Sequence, residues 1–168
     1  MTPRLSIAGA LFIVLTAAAA AQMPKYGVTV KADDKTDFSK LKTYKWEAGW
    51  KSYDKNIHQT ILDAVDRELK ELGLEKRDSG AADVTVTYGT VRRTDVDLKS
   101  KPSQGSEAGR KQYEVGSLVV LMRDPGTRKE LFRARVDKPI EVDAAKVQAA
   151  VDEAVREMFA KYPTRKSD

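Results

Sequence analysis

The chain contains no cysteine and only one histidine, His58. The first absence excludes disulfides, thiolate nucleophiles and thiolate metal ligands, so an exported form of the protein would rest on its core alone. It equally excludes a lipid-bearing cysteine behind a leader. The second absence means that any histidine-built metal site or serine–histidine pair must use His58 or not exist. His58 lies beside Ile57 near the start of a helical pattern, on what reads as the solvent side. Glycine-rich phosphate loops, nucleophile elbows and paired metal motifs are missing as well. So are long apolar runs, with one exception at the start.

That exception is LSIAGALFIVLTAAAAA over residues 5–21, which follows Arg4 and ends in small residues before Gln22-Met23-Pro24. A positive start, a short apolar middle and an A-x-A ending have the form of a secretory signal peptide. The run is marginal for spanning a bilayer and has no strongly basic flank behind it. The expectation is a leader over residues 1–21, cleaved after Ala21, and one domain over 22–168, periplasmic or secreted.

At 168 residues, with 41 % hydrophobic and 33 % charged, the chain can bury a real core as one globular domain. The formal charge of +5 falls by one when Arg4 leaves with the leader. This excess is mild and the signs are interspersed. It allows peripheral contact with an anionic envelope surface and gives no sign of a nucleic-acid partner.

The stretch YEVGSLVVLMRDPGTRKELFRARV, residues 113–136, reads as two strands around the turn Asp124-Pro125-Gly126-Thr127. Its first arm is apolar on both parities, Leu118, Val120 and Met122 against Val119 and Leu121, and predicts cover on both faces. The second arm alternates, with Phe132, Ala134 and Val136 against Leu131, Arg133 and Arg135, so that it can leave one face largely in water. Upstream, Val28 and Val30 mark a short strand, residues 43–46 a second, and Val84, Val86 and Tyr88 a third running towards Leu98 with a bulge or bend at Gly89. Residues 99–111, KSKPSQGSEAGRK, read as a loop at the tip of a long hairpin.

Two helices complete the pattern. The first follows Ser52 or Asp54 as cap, carries Ile57, Ile61, Val65, Leu69 and Leu72 on one face, and ends at Gly73 with Leu74 folding back. The second is capped by Asp143, presents Val147, Val151, Val155, Met158 and Phe159, and stops before Pro163. The order is β-β-α-β-β-β-α. Hairpin-length connections predict an α+β fold: an antiparallel sheet of about five strands with both amphipathic helices packed on one face.

Several of these residues also carry a resemblance. The run DFSKLKTYKW, residues 37–46, is similar to the opening signature of the domain-of-unknown-function 4136 family of small exported bacterial proteins. Gly73-Leu74, Ala82-Asp83-Val84-Thr85-Val86, Gly116-Ser117-Leu118-Val119-Val120, Asp124 and Tyr162-Pro163 extend the likeness over nearly the whole mature chain. Phe132-Arg133 stands where the family usually has Trp-Arg, and the cysteine of its many lipoprotein members is missing. The resemblance implies an envelope protein without an established activity.

The candidate sites are few. Tyr44, Trp46, Trp50 and Tyr53 form an aromatic cluster; Tyr44 and Trp46 read as core, whereas Trp50 and Tyr53 are candidates for stacking on a ligand. Arg92, Arg93, Arg110 and Lys111, with Lys99 and Lys101, gather on the long hairpin and could grip an anionic polymer. Asp33, Asp34 and Asp37 lack the glycine and distal glutamate of a calcium loop and read as turn caps. Asp95 and Asp97 read as solvent-facing partners of neighbouring Arg or Lys. No metal or cofactor is expected. These observations favour a non-enzymatic binding or scaffolding module for an unidentified envelope component. The alternatives are a binder of anionic envelope polymers and a carboxylate-dependent hydrolase using Asp83 and Asp124 with Tyr88.

Overall fold

The computed structural model describes residues 27–49, 52, 54–96, 112–140 and 143–165. The expected leader, Trp50, Tyr53, Asp97, Arg110 and Lys111 lie outside the described residues. In chain order the elements are β1 Gly27–Ala32, a 3-10 turn Phe38–Lys40, β2 Thr43–Trp46, α1 Lys55–Glu71, β3 Glu75–Lys76, β4 Val84–Val96, β5 Gln112–Arg123, β6 Glu130–Pro139 and α2 Ala144–Phe159.

Local chemistry sets the helix ends. Asp54 accepts from the N–H groups of Asn56 and Ile57, and Asp143 from that of Ala145. At the other end of α1, Leu74 N–H donates to the Leu69 carbonyl and Gly73 N–H to that of Lys70. This is a Schellman closure, and it needs Gly73 at φ +84°.

The six strands form one sheet in the order β1-β6-β5-β4-β2-β3. The β4–β5, β5–β6 and β1–β6 pairs are antiparallel, but β2 runs parallel to both β3 and β4. The sheet is therefore mixed rather than purely antiparallel, with six strands rather than about five. The reason is the helix between β2 and β4. A strand that leaves through α1 and rejoins beside its own start has crossed over, which brings the next strand back in the same direction. The sixth strand, β3, is two residues long and too short to show a period.

Both helices cover one face of the sheet. Pairing puts Val86, Met122 and Phe132 side by side on that face, and likewise Tyr88, Val120 and Ala134. These pack under Val65, Leu69, Val155, Met158 and Phe159. Val119 and Leu121, on the opposite face, remain only half-buried. The doubly apolar arm of β5 thus has helical cover on one side alone. Gly89 pairs with Val119 in unbroken register; the irregularity falls instead at Met122 and Arg123, where the shift turns Leu131 from the expected water-facing set into the core.

An aromatic plug closes the core. The Tyr162 ring lies 5.2 Å from Phe38 and 5.1 Å from Phe132, which is itself 5.7 Å from Phe159. Aromatic contacts of this kind add about 1 kcal/mol each beyond their burial. The two ends of the chain's signature, Phe38 and Tyr162, meet here.

Candidate functional site

Strand parity and register decide what the candidate residues can do. Arg92 and Arg93 are sequence neighbours on β4 and so point to opposite faces. Arg92 pairs with Glu114 across the hairpin. On the helix-free face, Arg93 reaches Asp95 and Asp137, both at 3.0 Å, and the Ser117 hydroxyl at 3.1 Å. Arg135 joins Asp137 at 2.9 Å, and Ser117 donates to the same carboxylate. Burial opposes the charge on Asp137, but hydrogen bonds from Arg135, Ser117 and Arg93 outweigh it and hold the carboxyl at about 2. The described part of the basic hairpin is thus split between two faces and already neutralised. Asp95 finds its basic partner on its own strand, two residues away.

Asp83 and Asp124 are builders of the backbone. Asp83 Oδ2 accepts from the N–H groups of Lys42 and Thr43 and from the Thr43 hydroxyl. Asp124 Oδ1 accepts from Gly126 N–H, Thr127 N–H and the Thr127 hydroxyl. The Lys42 N–H leads in holding Asp83 below the usual carboxylate range, and the Thr127 N–H does so for Asp124. Tyr88 sits on the helix-covered face, the opposite parity from Asp83. The three do not share a cleft. In the acidic turn, Asp33 accepts from Thr36 at 2.6 Å and from Lys129 at 2.9 Å, while Asp37 caps the 3-10 turn through Ser39.

The aromatic cluster is divided. Tyr44 is buried, and its hydroxyl and the Trp46 indole N–H both donate to Asp66 Oδ1 of α1 at 2.7 Å. Lys76 of β3 closes on Asp66 Oδ2 at 2.9 Å. Asp66 therefore ties the parallel strands to the crossover helix. Burial, followed by the Asp66 carboxylate, pushes the Tyr44 hydroxyl far up, so it stays a donor.

His58 departs from the expected solvent side. It is half-buried, its ring stacks on Tyr88 at 5.7 Å, and its Nδ1 lies 2.5 Å from the Tyr88 hydroxyl. That oxygen also accepts from Ser52 N–H at 3.1 Å. Trp46 meets the same tyrosine edge-on at 6.3 Å. An i, i+4 count could not have found this, because Tyr88 arrives from β4, thirty residues downstream.

Two hollows accompany these contacts. One, of about 380 Å³, lies on the helix-free face over Val91, Val119, Leu121 and Arg123, beneath Ala48-Gly49. Gly49 lies so close to β4 that a Cβ there would stand 2.1 Å from Thr87 Oγ1 and 2.4 Å from the Tyr88 carbonyl.

The other hollow, about 540 Å³, is a groove between the sheet, the first turns of α1 and the first three turns of α2. Its walls are Ile57 and Ile61 of α1, Leu118 and Val136 of the sheet, and Val147 and Val151 of α2. Gly116, Ala150 and Ala154 hollow it out. Arg92 and Lys138 stand at its rim. Sequence reasoning missed the groove, although small residues on apolar faces were its available signal. Its size and apolar lining suit a small-molecule site. Among the described residues no group of histidine and carboxylate side chains could hold a metal ion, and no described helix is long and apolar enough to cross a membrane.

The fold and groove together define a small single-sheet α+β domain with a pocket between its sheet and its helix layer. The family model "Domain of unknown function (DUF4136)" matches residues 28–164, and the chain belongs to that family. A crystal structure of a DUF4136 family protein from Bacteroides thetaiotaomicron superposes with a TM-score of 0.57 at 15 % identity, covering 84 % of this chain and 97 % of that one. A PDZ domain protein from Parabacteroides distasonis gives 0.56 at 15 % identity; 84 % of this chain is covered but only 36 % of that larger protein. The PelC dodecamer from Paraburkholderia phytofirmans gives 0.52 at 9 % identity, over 84 % of this chain and 99 % of that one. At such identities the likeness is one of fold alone. No curated protein matches the chain.

Proposed function

We propose that this protein is an exported binding module of the bacterial envelope that holds an apolar ligand in the groove between α1, α2 and the sheet, without catalysing a reaction. The observation that carries the reading is the groove itself, a mainly apolar hollow of about 540 Å³ walled largely by aliphatic side chains. Export is supported by the leader-like residues 1–21. A non-enzymatic role is supported by Asp83 and Asp124, which direct their oxygens to the backbone.

The anionic-polymer alternative draws less support, since Arg92 and Arg93 are paired with Glu114, Asp95 and Asp137. Two measurements test the reading. Mass spectrometry of protein recovered from the envelope should find an N-terminus at or near Gln22; intact Met1 in the cytosol would overturn export. The purified domain should enhance 1-anilinonaphthalene-8-sulfonate fluorescence in its folded state, as an accessible apolar hollow requires. A folded protein silent to the dye would overturn the binding role.

A further inference from the structure

We infer that the groove takes a single aliphatic chain, the acyl tail of a single-chain lipid, and that it reads the tail rather than the head group. This deepens the binding reading above and rests on it. Among the described residues no aromatic side chain lines the groove. Sugars and nucleobases dock on aromatic faces, and the described walls offer none. The apolar walls are mostly branched aliphatic, Ile57, Ile61, Leu118, Val136, Val147 and Val151, the surface that a flexible hydrocarbon chain fills best, while Ser52, Asp54 and Thr90 add polar groups to the lining.

Gly116 strengthens the case. A glycine inside a strand weakens it and often marks close approach by a ligand or another backbone. Gly116 has no positive φ to require it. A Cβ at this position would meet Ile140 Cγ1 at 3.4 Å and the Lys138 carbonyl at 3.9 Å, both ordinary contacts. Backbone conformation does not demand the glycine and a Cβ alone would fit, so the missing side chain leaves open space that an occupant of the groove would fill. Ala150 and Ala154 keep the facing side of α2 equally low.

The rim says what the groove does not read. Arg92 is paired with Glu114, and Lys138 contacts Glu157 at 2.9 Å and Glu153 at 3.7 Å. Among the described residues both rim cations are thus compensated by carboxylates, and the described rim holds no excess positive charge to draw an anionic head group. Affinity must therefore come from the length of tail buried.

The test uses the chain from residue 22 to 168 and 11-(dansylamino)undecanoic acid as fluorescent probe. Decanoate, dodecanoate, tetradecanoate and lysophosphatidylcholine serve as competitors. Competitor affinity should rise about fourfold per added methylene until the groove is full. Lysophosphatidylcholine should compete as a fatty acid of equal tail length does, and high salt should change little.

Gly116→Val fills the floor with a residue strands favour, so the fold should persist by circular dichroism while probe affinity falls at least tenfold. Ala150→Leu should do the same from the helix side. Wild-type affinity in both folded variants would overturn the assignment to this groove. Competition by carboxylates alone, abolished by salt, would show that the head is read and overturn the tail inference. Binding of anilinonaphthalene sulfonate that Gly116→Val abolishes, with no acyl probe bound, would sink the acyl ligand yet leave the binding module standing. Silence to every probe would remove both.

Discussion

Replacing Asp66 by alanine tests how the crossover helix is fastened to the parallel edge of the sheet. Asp66 Oδ1 accepts from Tyr44 Oη and Trp46 Nε1, each at 2.7 Å, and Oδ2 from Lys76 at 2.9 Å. Tyr44 is only 2 % exposed, so losing its acceptor leaves a buried hydroxyl without a partner, which costs about 1–3 kcal/mol. Trp46 is half-buried and water can replace part of its bond, so its loss adds about 1 kcal/mol. The Lys76 pair is partly solvated and contributes less than about 1 kcal/mol. Alanine's better helix propensity returns about 0.5 kcal/mol.

The net expectation for Asp66→Ala is a loss of about 2–4 kcal/mol, or roughly 6–12 °C in Tm for a domain of this size. Asp66→Asn keeps an acceptor oxygen for Tyr44 and Trp46 and should lose only about 1 kcal/mol. Urea unfolding followed by far-ultraviolet circular dichroism measures both. Tyr44→Phe in the Asp66→Ala background should cost less than in the wild type, because donor and acceptor are then both gone. Asp66→Ala no worse than Asp66→Asn, or additive costs in the double variant, would refute the reasoning.

Three further outcomes are expected. Asp137 has its folded pKa depressed from 3.8 to about 2, so its contribution of roughly 2 kcal/mol is present above pH 4 and disappears as pH falls through 2; the stability gap between wild type and Asp137→Asn should close over that window, and a gap unchanged at pH 2 would contradict the network. Gly49→Ala drives a Cβ into Thr87 and the Tyr88 carbonyl and should cost about 1–3 kcal/mol in urea unfolding, whereas an unaffected midpoint would mean that Gly49 does not lie against β4. Gly73→Ala forces a side chain to φ +84° and should lower stability by about 1 kcal/mol, which differential scanning calorimetry would register as a Tm drop of a few degrees.

The amino-acid sequence by itself determined what depends on neighbours along the chain. Asp143 and Gly73 bound the helices, and the start of α1 was narrowed to Ser52 or Asp54, because caps act within a few residues. The alternation of Phe132, Ala134 and Val136 with Arg133 and Arg135 fixed which face of β6 is buried, because successive side chains on a strand must point opposite ways. The tertiary structure decided what depends on partners brought from far away. The crossover through α1 made β2 parallel to β4, and it gave the two-residue β3 a place at the edge. The β4–β5 and β5–β6 registers gathered Asp137, Ser117 and Arg135 around Arg93, which strand alternation alone had turned away from Arg92. The fold brought Tyr88 against His58 and opened the groove above Gly116. Caps and periods are local energies that a sequence displays directly. Pair partners and hollows exist only once strands have chosen their register and the helices have been set down at a particular distance from the sheet.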